Sequence, residues 1–191
     1  MIDSCRLEEI LASDRISQGI PKYCYIMEKF RKVDVSQNKA FREKFREFYQ
    51  LRRFYSDEFV DGYFKVMEEL KNVPDVSFEM AFPKVLGICG TYELSFTSKL
   101  VHTINPDTLI WDKIVTGDHF KIKPPYPGAK NRDKACIDRY KQYADSVRVY
   151  LASDEGQMII EAFDKKYNTM SISDVKKIDF VLWQNRKMRS A

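Results

Sequence analysis

Asp112 lies in the stretch "LIWDKIV", directly after Leu109, Ile110 and Trp111 and just before Ile114 and Val115. A carboxylate in so apolar a setting has two uses. It caps the helix that begins there by accepting from free amide groups. Alternatively it serves a reaction, since partial burial raises both its field and its proton affinity. The two uses are compatible. Upstream, "VLGICGTYELSFTSKLVHTI" reads as two helices joined by a tight turn, with Ile88, Gly90 and Thr91 at the anchoring positions. A glycine-allowed turn presents successive N–H groups, and the second helix adds the positive end of its dipole. Both suit a phosphate oxygen. The candidate phosphate contacts are therefore Gly87, Cys89, Gly90, Thr91 and Tyr92, with Lys113 beside Asp112 as a further cation.

The helices that position these groups follow from hydrophobic spacing. In "NKAFREKFREFYQLRRFY", Phe41, Phe45 and Phe48 recur at helical intervals, with Tyr55 one heptad beyond Phe48, and such a stripe is a core face. A second helix starts at Ser56 as N-cap and buries Phe59, Tyr63, Phe64, Val66, Met67 and Leu70. "SFEMAFPKVLG" predicts a shorter helix that stops near Gly87, with Pro83 in its first turns or kinking it. "LSFTSKLVHTI" is the next, broken at Asn105 by Pro106. The prolines of "DHFKIKPPYPGAKNRDK" require a loop. Helices over about 133–151, 154–167 (capped by Ser153) and 174–187 (capped by Ser173) close the chain. Strand signals are nearly absent. The expectation is one all-α domain over residues 1–191, two-lobed, with the turn and Asp112 facing the cleft between the lobes.

The order of these parts, "CGTYELSFTSKL" followed by "INPDTLIWDKIV", resembles the helix-hairpin-helix DNA glycosylase superfamily. It is most similar to small bacterial members with an 8-oxoguanine-glycosylase-like fold. The resemblance covers about residues 77–120; the flanking helices agree in class and order. It implies duplex DNA as partner and no cofactor. A damaged base would be flipped and its N-glycosidic bond hydrolysed, with Asp112 stabilising the sugar cation or activating water. Bifunctional members carry a lysine early in the second hairpin helix. A gap-free count puts that position at Leu94, which has no amine, so the resemblance implies a glycosylase without a lyase step. Lys99 is five residues further on, turned through about 500°, and is expected at solvent or a helix C-terminus. Tyr92 stands where the hairpin usually has its second glycine. The alternative is a catalytically inactive nucleic-acid-binding or interaction protein of the same fold.

Other side chains have plainer expectations. Trp111 is a core residue or the wall of a base pocket, His102 a buried structural histidine, and Trp183 packing within an apolar terminal helix. The net charge of +4 is uneven: residues 120–150 carry eight Lys/Arg against three Asp. That basic run makes Lys121 and Lys123 candidate DNA contacts. Four scattered cysteines, none in a CxxC pair, and two histidines give no zinc or iron–sulfur pattern. Reduced and mostly buried thiols are expected. No apolar run reaches the roughly 20 residues that span a bilayer, and the first residues lack a secretory-signal pattern. The expectation is a cytoplasmic protein, not bound to membrane, and a monomer.

Overall fold

The computed structural model describes residues 2–51, 56–168 and 172–189, the side chains of the last four excepted. Its elements are helical, and among the described residues there is no strand. The helices are α1 (Ser4–Leu11), α2 (Asp14–Lys32), α3 (Lys39–Phe48), α4 (Asp57–Leu70), α5 (Phe78–Cys89), α6 (Leu94–Ile104), α7 (Arg132–Leu151), α8 (Asp154–Tyr167) and α9 (Asp174–Arg189), with a π-helical turn at Val115–His119 between α6 and α7.

Several boundaries are local chemistry. Ser56 caps α4 through Phe59 N–H (3.2 Å) and Ser153 caps α8 through Gly156 N–H (3.1 Å). Ser77 caps α5 through Met80 N–H at 3.3 Å. Each such cap contributes about 1 kcal/mol. α5 does not stop at Gly87. It runs through Pro83, on its solvent side, to Gly90, whose left-handed φ of 64° lets its N–H turn back to Leu86 O at 2.8 Å. α3 ends at Phe48, so the aromatic stripe shares one helix only that far; Tyr55 lies outside the described residues.

The core falls into three clusters. The first packs α2 to α6 around Phe41, Phe45, Tyr63 and Phe64, all fully buried. The second joins α1, α2, α8 and α9 through Ile10, Ile16, Phe163 and Val181. The third sets α5 and α6 against α7 through Phe78, Leu94, Trp111 and Tyr140. Phe48 packs against both the first and the second cluster, and the seam beneath it is where the candidate site lies.

Residues 105–112 carry the chain from α6 to Asp112 without regular structure. Most of their backbone oxygens are nonetheless paired, because buried carbonyls left alone are costly. Ser173 Oγ donates to Pro106 O (2.7 Å), Tyr140 O–H to Leu109 O (2.8 Å) and Tyr143 O–H to Ile110 O (3.4 Å). His102 Nδ1–H donates to Thr108 O (2.7 Å), so its Nε2 accepts from Tyr23 O–H (3.0 Å). Trp111 N–H is held by Ser98 Oγ at 2.8 Å. This stapling fixes the backbone on which Asp112 stands. His102 is fully buried, and its role is structural, as its place on the apolar face suggests.

Candidate functional site

A cavity of about 570 Å³ opens between α2, α3, α6 and α9, and Asp112 lines it together with Lys99, Lys176 and Asp179. Aromatic walls come from Phe48, Tyr49, Phe96, Phe180 and Trp183. Arg15, Lys22, Glu47 and Glu93 line it as well, so the cavity combines aromatic walls with charged groups, some buried and some at its solvent-exposed edge.

Asp112 does both things its setting allows. Its Oδ1 accepts from Ile114 N–H (2.7 Å) and Val115 N–H (3.3 Å), an N-cap for the turn that follows. Among the described residues Oδ2 accepts nothing, which leaves one carboxylate oxygen for a ligand or a water. Burial pushes its pKa above the ordinary carboxylate value, helped by the nearby Asp179. The two capping amides and Lys99 pull the other way.

Lys99 departs from the sequence reading. Its Nζ does meet a helix C-terminus, donating to Tyr49 O at 3.2 Å beyond the end of α3. Yet it also lines the Asp112 cavity, with its ammonium 5.0 Å from the Phe96 ring centre and 5.8 Å from that of Tyr49. Burial lowers its pKa to about 8, against the opposing pull of Asp112. Leu94 and Lys99 do face different sides of α6, and it is the Lys99 side that carries the cavity. Leu94 faces the dry third cluster; Ser95 and Lys99, four residues apart, face the cavity.

Lys176 lines the same cavity. It is 3% exposed, donates to Asp179 Oδ2 at 2.6 Å, and lies 4.6 to 5.9 Å from the ring centres of Phe180, Tyr23, Phe48 and Tyr49. Lys176 and Lys99 therefore approach one ring, Tyr49, both within 6 Å of its centre. Sequence reasoning missed Lys176 and Asp179. Both sit on the helix read as packing, and only an i, i+3 charge pair within an apolar run marked them.

Trp111 is not a cavity wall. It is buried in the third cluster against Tyr143, ring centres 5.7 Å apart. Trp183, assigned to packing, does line the cavity, and the Arg15 guanidinium stands 5.5 Å from its ring centre. Nor are the cysteines mostly buried: Cys136 is, Cys24 and Cys89 are half-buried, and Cys5 is exposed.

The hairpin turn leads directly into α6, whose N-cap Glu93 and first residues Ser95 and Phe96 line the cavity, but residues 87–92 are not part of that lining. Gly87, Gly90 and Thr91 are exposed. Cys89 Sγ–H folds back onto Val85 O (3.1 Å) and Thr91 O (3.0 Å). Among the described residues the Thr91 and Tyr92 amides have no intramolecular acceptor, as an oxygen-binding turn requires. Tyr92 does not point into that turn. Its O–H donates to Asp133 Oδ1 (2.8 Å) and its ring lies 4.0 Å from the Arg132 guanidinium, tying the hairpin to the start of α7. Lys113, Lys121 and Lys123 are exposed and none lines the cavity.

No helix among the described residues is long and apolar enough to cross a membrane. Comparison of the chain with known protein families, with curated proteins and with solved structures returns no match.

Proposed function

We propose that the protein is a DNA glycosylase-like hydrolase that binds duplex DNA through the 87–92 turn and releases a damaged base at Asp112. The observation that carries this reading is the Asp112 carboxylate, fixed by its cap through one oxygen, with no hydrogen bond to the other among the described residues, and lining an aromatic-walled cavity. Negative charge held there suits a sugar cation forming as the base departs. The same oxygen is placed to take a proton from an attacking water. The aromatic walls suit a flipped base, and the two unpaired turn amides suit a phosphate. Hydrolysis would leave an abasic site in an uncut strand.

One observation favours a second reading. Lys99 shares the cavity with Asp112, and its pKa of about 8 leaves an appreciable fraction as the free amine near neutral pH. An amine so placed can attack the sugar and form an imine, which adds a lyase step. The two readings separate in one experiment. Duplexes carrying single oxidised, deaminated or alkylated bases are incubated with the protein, with and without borohydride. Free base with an uncut strand and no covalent adduct supports the hydrolase. A trapped protein–DNA adduct that disappears in Lys99→Met supports the lyase. No base release from any duplex contradicts both and leaves a binding protein.

A further inference from the structure

Between the π-helical turn and α7, the segment "KIKPPYPGAKN" carries a ring that no core accounts for. Tyr126 is 78% exposed, the most exposed large apolar side chain among the described residues. An isolated exposed apolar residue is ordinary; this one differs in its mounting and its surroundings. Pro124, Pro125 and Pro127 restrict the backbone on both sides. The turn beyond it is closed by Ala129 N–H donating to Tyr126 O at 3.0 Å. Gly128 makes room for the ring: a Cβ there would come within 2.9 Å of Tyr126 Cε1. One edge of the ring therefore rests on the turn while the remainder faces solvent.

The surroundings are cationic. Residues 120–134 hold five Lys/Arg and one acid, Asp133, and Asp133 already accepts from Tyr92 O–H. Among the described residues Lys123 and Lys130 have no ion-pair partner. The loop also adjoins the hairpin, because Pro127, Gly128 and Ala129 share a shallow cleft with Tyr92 and Arg132. The core of a protein interface is poor in charged residues, and here the segment that carries the ring holds five cations against one acid. A partner made of flat rings joined by phosphates matches both features.

We propose that Tyr126 is a base-stacking contact, its ring packing on an unstacked base of a nucleic acid while the cations of residues 121–134 hold the backbone. The choice of DNA rests on the proposed function; the stacking itself requires only an exposed base. Because the ring is already held, stacking sacrifices little conformational freedom.

The test uses the full chain with three DNAs: a single strand, an intact duplex, and a duplex with one bulged 2-aminopurine. Tyr126→Ala is expected to weaken binding to the single strand and the bulged duplex by about tenfold. It should also remove the protein-induced quenching of the 2-aminopurine, and leave the salt dependence of binding unchanged. Tyr126→Phe is expected to bind within about twofold of the wild type. If Tyr126→Ala binds all three as the wild type does, stacking is overturned and the glycosylase reading survives. If the wild type binds only the single strand, through Tyr126, stacking stands and the glycosylase reading falls. Binding to none of the three overturns both.

Discussion

His102 and Lys99 stand one turn apart on α6, and both are polar groups withdrawn from bulk water. His102 has both ring nitrogens engaged, by Tyr23 and by the Thr108 carbonyl. A neutral imidazole has two hydrogen-bonding sites, and both are filled. Lys99 has three protons to donate and makes one hydrogen bond, to Tyr49 O, with aromatic rings and a cavity around the rest. Burial lowers both pKa values, to about 4 for the histidine and about 8 for the lysine. The same physical cause therefore has different consequences. A saturated polar group is a structural joint, whereas an unsaturated one facing a void can exchange its partners for a ligand. By that measure Asp112, with one oxygen bonded and one open, belongs with Lys99.

The comparison is broken most forcefully at the joint. His102→Ala should destabilise the fold by about 3 kcal/mol, because it opens a cavity and orphans both Tyr23 O–H and Thr108 O. Denaturant unfolding measures it. The histidine also sets a pH dependence. Its folded pKa is lowered to about 4 from 6.5, so between those values the unfolded chain binds a proton that the folded chain refuses. Stability is then lost as pH falls through that window. His102→Gln should show a flatter profile there.

Ser98→Ala should cost less, about 2 kcal/mol, by leaving the buried Trp111 N–H without its acceptor. Since Trp111 adjoins Asp112, base release should fall along with stability. A variant that is less stable but equally active would show that Asp112 does not depend on this staple.

Lys99→Met should have the smallest effect on stability and an instructive sign. The folded pKa is about 8 against an ordinary 10.5, so the buried ammonium is a burden below pH 8. That burden lifts as pH rises through the window, because there only the unfolded chain binds the proton. Methionine removes the burden throughout. The variant should be as stable as the wild type or more so at pH 7, by about 1 kcal/mol. Its advantage should shrink between pH 8 and 10.5. An advantage that stays constant with pH would mean that Lys99 is not strained.

Which parts were legible in the sequence follows from the range of the forces involved. Ser56 and Ser153 declare their helices because capping acts within one turn. Gly87 and Gly90 look alike as letters, and only the chain path reveals which one takes the left-handed φ. The two faces of α6 were legible as faces, through Leu94 on one and Lys99 on the other. Which of them meets the cavity depends on where α2, α3 and α9 pack, and that is not encoded within α6. For the same reason Trp111 took the core role among its two readings, whereas Trp183, expected to pack, lines the cavity. The paired charges Lys176 and Asp179 were visible, but an i, i+3 pair is most often on the surface, and nothing local marks this one as buried.

The central claim, that the open oxygen of Asp112 performs chemistry beyond its cap, is tested most directly by single-turnover base release with wild type and Asp112→Asn. The substrates are duplexes with one modified base each, and duplex affinity and unfolding free energy are measured on the same preparations. The amide can still accept the Ile114 and Val115 N–H groups, and it relieves a carboxylate whose pKa is raised by burial. Stability should therefore change by no more than about 1 kcal/mol and affinity hardly at all, while base release falls at least a thousandfold, on the order of 4 kcal/mol of transition-state stabilisation. Base release by Asp112→Asn at the wild-type rate would contradict the account and leave Asp112 as a cap alone.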